Sequence, residues 1–366
     1  MPTQTSRRIL ISPLDWGLGH TSRCIPIIGC IQSLGHIPVV ACNQSQRTFI
    51  EETFGNIEII HIDGYEVTYS KWNRFGQIGV LSQLSHINKV IAYEHHWLEQ
   101  HAELLKLDGI ISDNRYGLFH TRIPSVIMTH QLQVQTGFGK FADRTIQKQH
   151  YKYLDRFSAT WVVDLPGTIN LGGKLSHPGQ LPSQTTYLGL LSQFEGFAGR
   201  VSGYADDTLL ILLSGPEPQR TELSNILWQQ VQHHDGKVVF VGGSDKANTP
   251  AHIPSHITYH KRLTGKALAM TLQSAAMVIC RSGYSTIMDL VALNRRAILI
   301  PTPGQTEQSY LGKYLDQKKA FYLAKQNGFD LKTALIEAGQ FQYQSLLLQD
   351  AYLGYKSVLG NWISCL

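Results

Sequence analysis

Short runs of Ile, Val and Leu recur along the chain, separated by stretches whose apolar residues fall at helical spacing, and this alternation predicts parallel α/β structure. In the first half the runs are residues 8–12, 37–42, 57–62, 109–112, 125–129 and 160–163. They are nearly continuous in apolar residues, as strands covered on both faces must be. A long helical stretch from about 77 to 107 lies between the third and fourth, and the Tyr-, Trp- and Gly-rich segment 64–76 before it reads as a mobile loop. The second half starts over with a strand at 208–214, a Gly/Pro loop and a helix from about 220 to 232. Further strands are predicted at 237–241, 257–259, 277–280, 297–300 and 320–323.

Two doubly wound Rossmann-like domains are the economical reading, and 366 residues suit two domains better than one. The fold class is α/β. The first domain is predicted over residues 1–185, a linker over 186–206, the second domain over 207–342, and a closing helix over 343–366 that packs back on the first domain. In open parallel sheets, ligands bind beyond the carboxyl ends of the strands. Two such domains are expected to face a central cleft lined by strand-to-helix loops from both.

Composition narrows the class. Hydrophobic residues make up 43% and charged residues 16%, so each half can bury a core and disorder is not indicated. A net charge of +5 suits an anionic substrate or membrane surface but falls far short of a nucleic-acid binder's excess. Cys24, Cys30, Cys42, Cys280 and Cys365 form no CxxC pair and no metal-ligand spacing, the thiol usage of a reducing cytoplasm. No apolar stretch approaches the roughly 18–20 residues that span a bilayer, and the N-terminal apolar run is too short for a signal peptide. A cytoplasmic protein, soluble or peripheral on the inner membrane face, is expected. The stretch 140–157, with Arg144, Lys148, Lys152 and Arg156 among Tyr151 and Tyr153, is either a solvated helix face or a contact for anionic lipid.

The candidate chemistry lies just after the strands. After the first come Gly17, Gly19 and His20, glycines that let the backbone approach a ligand and a helix whose N–H groups face it. As a dinucleotide fingerprint this loop is incomplete: Ser22 replaces the third glycine, and Asn43 stands where an acidic residue would take the ribose of NAD. After the strand 277–280 come Arg281, Ser282, Gly283, Ser285 and Thr286, opening a helix near Thr286 that carries Asp289. Ser and Thr there can cap the helix while its N–H groups face a diphosphate, and Asp289 can accept from a ribose diol. After the next strand, Gly304, Gln305, Glu307 and Gln308 bring amides and a carboxylate suited to a polyhydroxylated ligand. A cap followed by a turn explains the same residues without a ligand.

The stretch 279–310, with RSGYST, Asp289 and the run from Pro301 to Gln308, resembles the C-terminal nucleotide-binding domain of family 28 glycosyltransferases. That group includes the N-acetylglucosaminyltransferase of peptidoglycan-precursor synthesis and plant galactolipid synthases. The glycine loop ending in Gly19 and His20 resembles the family's Gly-Gly-His loop, and Ser214-Gly215 its second phosphate loop. The resemblance implies a GT-B fold and an inverting, metal-independent transferase. It would move a hexose or N-acetylhexosamine from a UDP-sugar to an acceptor that is a lipid, a polysaccharide or a small molecule. No cofactor is expected. It further implies that Arg281, Ser282, Gly283, Ser285 and Thr286 border the diphosphate, and that Asp289 holds the ribose. Gln305, Glu307 and Gln308 would hold the donor sugar, and residues 259–263, with Arg262 and Leu263, would form the wall behind the base. Two departures stand out: Asp289 replaces the family's usual Glu, and PLDWGLGH replaces its run of glycines with Thr.

An inverting transferase needs a base for the acceptor hydroxyl, and a near-neutral His suits that task. His20 ends the glycine loop. Asp113, at the end of the fourth strand, can fix its tautomer from behind. His130, after the fifth strand, is the second candidate, and Asp113 itself the third. His95 and Glu99, four apart on a helix, lack a third ligand, so no metal is expected. Two other classes compete: a UDP-sugar epimerase of the same fold and a catalytically inactive nucleotide-sugar-binding protein.

Overall fold

The computed structural model describes residues 5–65, 84–134, 139–197, 207–346 and 350–366. They form two compact units: 5–65, 84–134, 139–193 and 350–366 in the first, and 194–197 with 207–346 in the second.

The first unit is built on a parallel sheet of seven strands. They are β1 (Arg8–Pro13), β2 (Ile37–Cys42), β3 (Glu58–His61), β4 (Gly109–Asp113), β5 (Ser125–Thr129), β6 (Ala159–Val162) and β7 (Thr185–Tyr187), in the spatial order β3-β2-β1-β4-β5-β6-β7. Helices α1 (Leu18–Ser33), α2 (Gln44–Phe54), α3 (Leu84–His101) and α4 (Lys140–Leu154) connect them, and α5 (Gly354–Ser364) closes the unit from the far end of the chain. The central strands β4 and β5 are buried at every position, which is why each carries an apolar run at its centre, with polar residues only at its ends. Order reverses between β1 and β4: the chain runs outward from β1 to β3, then returns to β4. The paired ends Ser12↔Ser112 and Pro13↔Asp113 therefore form the switch point where doubly wound sheets bind ligands. On α5, Trp362 packs edge-on against Trp161 of β6, their ring centroids 5.4 Å apart. A Cβ at Gly109 of β4 would come within 2.6 Å of the same indole.

The second unit repeats the plan with six parallel strands. They are β8 (Leu209–Leu212), β9 (Val238–Val241), β10 (Ile257–His260), β11 (Met277–Cys280), β12 (Ala297–Leu299) and β13 (Tyr322–Leu323), ordered β10-β9-β8-β11-β12-β13. Its helices are α6 (Gln219–Val231), α7 (Gly265–Ser274), α8 (Tyr284–Ala292), α9 (Thr306–Gln317) and α10 (Leu331–Gln340). The switch point here lies between β8 and β11, where Leu212 pairs with Cys280. Leu209, Ile211, Phe240, Ile279 and Ile298 from the sheet pack with Leu223 and Leu227 of α6 in one core.

The structure departs from the sequence reading in several places. β7 was absent from the predicted strands: only three residues long and half-buried throughout, it carries no apolar run, and it lies where the first domain was predicted to end. The predicted strand 320–323 narrows to its last two residues. Of the predicted helix 77–107, α3 forms only to His101 and gives way to a turn over 102–106, while its predicted start lies outside the described residues. So do the loop 64–76 beyond Tyr65 and the linker beyond residue 197. Among the described residues no helix is long and apolar enough to cross a membrane. The face of α4 bearing Arg144, Lys148 and Lys152 is exposed, and Phe141 on its first turn is 86% exposed.

Candidate active site

At the first switch point the loop from β1 to α1 is short and tightly held. Gly17 adopts φ +93° directly before α1, a conformation that side chains disfavour, and nothing would crowd a Cβ there, so the backbone geometry alone calls for glycine. The helix begins at Leu18, not near Ser22 as the sequence suggested, which puts Gly19 and His20 in its first turn. Buried Gln46 holds the loop from behind: its amide donates to the Leu14 carbonyl at 3.0 Å and the Thr21 hydroxyl at 3.1 Å. Gln46 is fixed in turn by a capping box with Asn43 at the start of α2. Asn43 is thus a helix cap.

His20 Nδ1 lies 3.0 Å from Asp113 Oδ2. Arg23 Nη2 also lies 3.0 Å from Nδ1, but its two hydrogens go to Asp113 Oδ1 and, in the better-satisfied orientation, to the Asn114 amide oxygen, so Nδ1 donates to the carboxylate and Nε2 keeps its lone pair. Arg23, one turn further along α1, joins them. Its Nε donates to Asp113 Oδ2 at 2.9 Å and its Nη2 to Oδ1, a fork on a fully buried carboxylate. Arg23 Nη1 donates at 2.9 Å to His130 Nδ1, which fixes the proton of that ring on Nε2. Burial alone would raise the Asp113 carboxyl, but Arg23 and His20 outweigh it and hold it at about 2. Burial and the Arg23 charge push His20 below the ordinary imidazole value, against the pull of Asp113. The outcome is an ionised carboxylate behind a neutral histidine whose side chain stays 15% exposed.

At the second switch point the loops after β8, β11 and β12 converge. Ser214 and Gly215 follow β8; Gly215 has φ +99° and is exposed, and a Cβ there would meet only the Thr302 hydroxyl, at 3.9 Å. That hydroxyl is buried and has no hydrogen-bond partner among the described residues. Helix α8 begins at Tyr284, two residues before the predicted start. No side chain caps it, because Ser282 Oγ donates 2.8 Å across to the Gln308 carbonyl instead. Ser285 and Thr286 fall in its first turn, and Asp289 lies one turn further on, nearly buried.

Arg281 turns inward. Its Nη1 donates to the carbonyls of Ile300 and Pro301 and to Gln326 Oε1, and its Nη2 to the Gln219 carbonyl. It is 1% exposed, and burial lowers its pKa to about 10. It braces the loops around the site, and its Nε has no hydrogen-bond partner among the described residues. Gln308 also spans two loops, its Oε1 accepting from the Thr302 N–H at 2.9 Å. Gly304, Gln305 and Glu307 surround it at the start of α9, with Gly304 exposed. Arg262, past β10, pairs with Asp245 at 3.1 Å, and Leu263 beside it is half-buried. His95 and Glu99 are not drawn into a shared site: His95 stacks on Phe119 at 4.3 Å, and Glu99 lies 3.6 Å from His120.

Comparison with known proteins agrees with this geometry. Residues 265–344 match the glycosyltransferase family 28 C-terminal domain, a stretch that runs from α7 through α10 and includes the polar loops after β11 and β12. Among solved structures, the chain is similar to the glycosyltransferase SnogD from Streptomyces nogalater, at 13% identity and TM-score 0.64 over 99% of this chain and 100% of that one. MurG of Acinetobacter baumannii matches at 13% identity and TM-score 0.56 over 99% and 100%. The spinosyn rhamnosyltransferase SpnG, solved with thymidine diphosphate, matches at 15% and 0.58 over 98% and 96%. No curated protein matches by sequence. The fold is of the GT-B class, two parallel α/β units of Rossmann-like plan. Within that class, this chain carries the family 28 C-terminal domain in its second unit.

Proposed function

We propose that the protein is an inverting transferase that moves a hexose or N-acetylhexosamine from a UDP-sugar to an acceptor hydroxyl, without a metal. The observation that carries this reading is the neutral His20, held by ionised Asp113 at the first switch point. As the acceptor oxygen attacks the anomeric carbon, its proton passes to His20 Nε2, the bond to the nucleotide diphosphate breaks, and the imidazolium is stabilised by Asp113. His130 and Asp113 are poorer bases here. The first has its Nδ1 lone pair taken up by Arg23, and the second is buried between two donors at a pKa of about 2.

The donor belongs to the second unit. The uncapped start of α8 offers its main-chain dipole to the diphosphate, Gly215 leaves room for it, and the unpartnered Thr302 hydroxyl lies below. Asp289 takes the ribose, and Gln305, Glu307 and Gln308 the sugar. The exposed basic face of α4 suits contact with anionic lipid where the acceptor is membrane-borne.

The test is a thermal-shift panel of UDP, GDP, TDP and their sugars. UDP is expected to stabilise the protein most, and EDTA to leave that shift unchanged, because helix dipoles meet the phosphates and the sequence has no Asp-x-Asp pair. A second reading, a thymidine-nucleotide donor, draws on the thymidine diphosphate bound to SpnG, and preferential stabilisation by TDP would establish it. A strict requirement for Mg²⁺ or Mn²⁺ would overturn the metal-independent assignment.

Asp289→Asn is expected to weaken UDP binding roughly ten- to hundredfold, since hydrogen bonds to a charged group are worth about 1.5–3 kcal/mol. The mutant should also lose the wild-type preference for UDP over 2′,3′-dideoxy-UDP, as read by titration. An unchanged preference would place the ribose partner elsewhere.

A further inference from the structure

The fork of Arg23 on Asp113 is more than a second His–Asp pair requires. A His–Asp pair alone has a buried carboxylate to stabilise the imidazolium, and so draws a proton onto the ring at rest. Here the carboxylate is shared. Arg23 Nε and Nη2 occupy both of its oxygens, while Nη2 also lies 3.0 Å from His20 Nδ1. Arg23, Asp113 and neutral His20 sum to zero charge, and a second proton on His20 would add an uncompensated charge next to a guanidinium that is 1% exposed.

Among the described residues, Asp113 is the only carboxylate that acts on the His20 ring. From α1 there is the Cys24 thiol, 3.8 Å from Asp113 Oδ2 and pushed up by burial, so uncharged. From the turn after β4 come the Asn114 amide, which in its better-satisfied orientation accepts from Arg23 Nη2, and Tyr116, its phenol pushed well up by burial and the Asp113 charge, so uncharged. From beyond β5 comes His130, held on Arg23 Nη1.

We propose that Arg23 is a positioning residue: it shares the Asp113 carboxylate with His20 so that His20 rests as a neutral ring with its proton fixed on Nδ1. Arg23 touches neither donor nor acceptor in this role; it acts through Asp113 and His20. This builds on the assignment of His20 as base, but it makes a claim about His20 that needs no substrate. The arrangement keeps the base deprotonated in acid, where a bare His–Asp pair would already be charged.

The experiment is an NMR titration of the His20 ring in the full chain, its signal assigned by its loss in His20→Gln. In the wild type the midpoint is expected below that of an ordinary imidazole. Arg23→Met should raise it by about one unit or more, since a unit charge has been removed from within hydrogen-bond distance. Arg23→Lys, which keeps the charge but loses the fork, should leave the midpoint low. A wild-type midpoint at or above the ordinary value overturns the proposal, and so does a folded Arg23→Met with an unmoved midpoint. Should Arg23→Met fail to fold, the wild-type and Arg23→Lys midpoints decide. The role of His20 as base is judged separately, by the acid limb of the transfer rate against pH. A limb that ignores the NMR midpoint removes His20 from the chemistry and leaves the Arg23 linkage standing.

Discussion

Replacing His20 by alanine is expected to lower turnover by about 10² to 10⁴, the usual contribution of a general base. UDP affinity should stay nearly unchanged, because the nucleotide loops belong to the other unit. The two measurements separate the candidates cleanly. Loss of turnover with intact UDP binding identifies a base. Collapse of UDP binding with surviving turnover per bound donor would make His20 a phosphate contact and return the task to His130 or Asp113. The geometry favours the first outcome: one nitrogen of His20 is committed to Asp113, and the ring keeps some exposure for the other.

Asp113→Ala is expected to cost stability as well as activity. It leaves the Arg23 guanidinium buried without its counter-charge, and breaking a buried ion pair from one side typically costs about 3–5 kcal/mol. Urea unfolding of the single and double mutants reads this directly. Adding Arg23→Met to Asp113→Ala should recover much of the loss, because the stranded charge is gone, while turnover stays low. A single-mutant cost below about 1 kcal/mol, or a double mutant worse than the sum of its parts, would mean that the pair contributes little to the fold.

The sheets were legible because buried parallel strands carry unbroken apolar runs, as β1, β2, β4, β5, β8 and β11 do at their centres. β7 was illegible because its three residues pair at the sheet's edge without being fully covered. His20 and Asp113 were legible as partners because each ends up just beyond one of two strands that the doubly wound pattern sets side by side. Arg23 was missed although a signal existed: it lies three residues after His20, on the same face of α1. Gln46 carried a signal too, as the third residue of a capping box, but nothing in sequence says that its amide reaches back to the glycine loop. Arg281 was legible as part of the loop after β11, but nothing in the sequence says that its Nη donors reach the carbonyls of Ile300, Pro301 and Gln219.

The return of α5 to the first unit bears on the order in which the molecule can be assembled. Domains usually fold as they leave the ribosome, the N-terminal one first. Here the strand that ends in Asp113 begins at Gly109, a residue cut back to a hydrogen so that Trp362 can lie against it. The indole that fills this space is synthesised only after the second unit. A nascent chain released after the first 193 residues therefore has all seven strands of its sheet but lacks part of its own interior. The half that begins first is completed after the other, and a chain cut short before α5 would injure the half that lies farthest from the cut along the sequence.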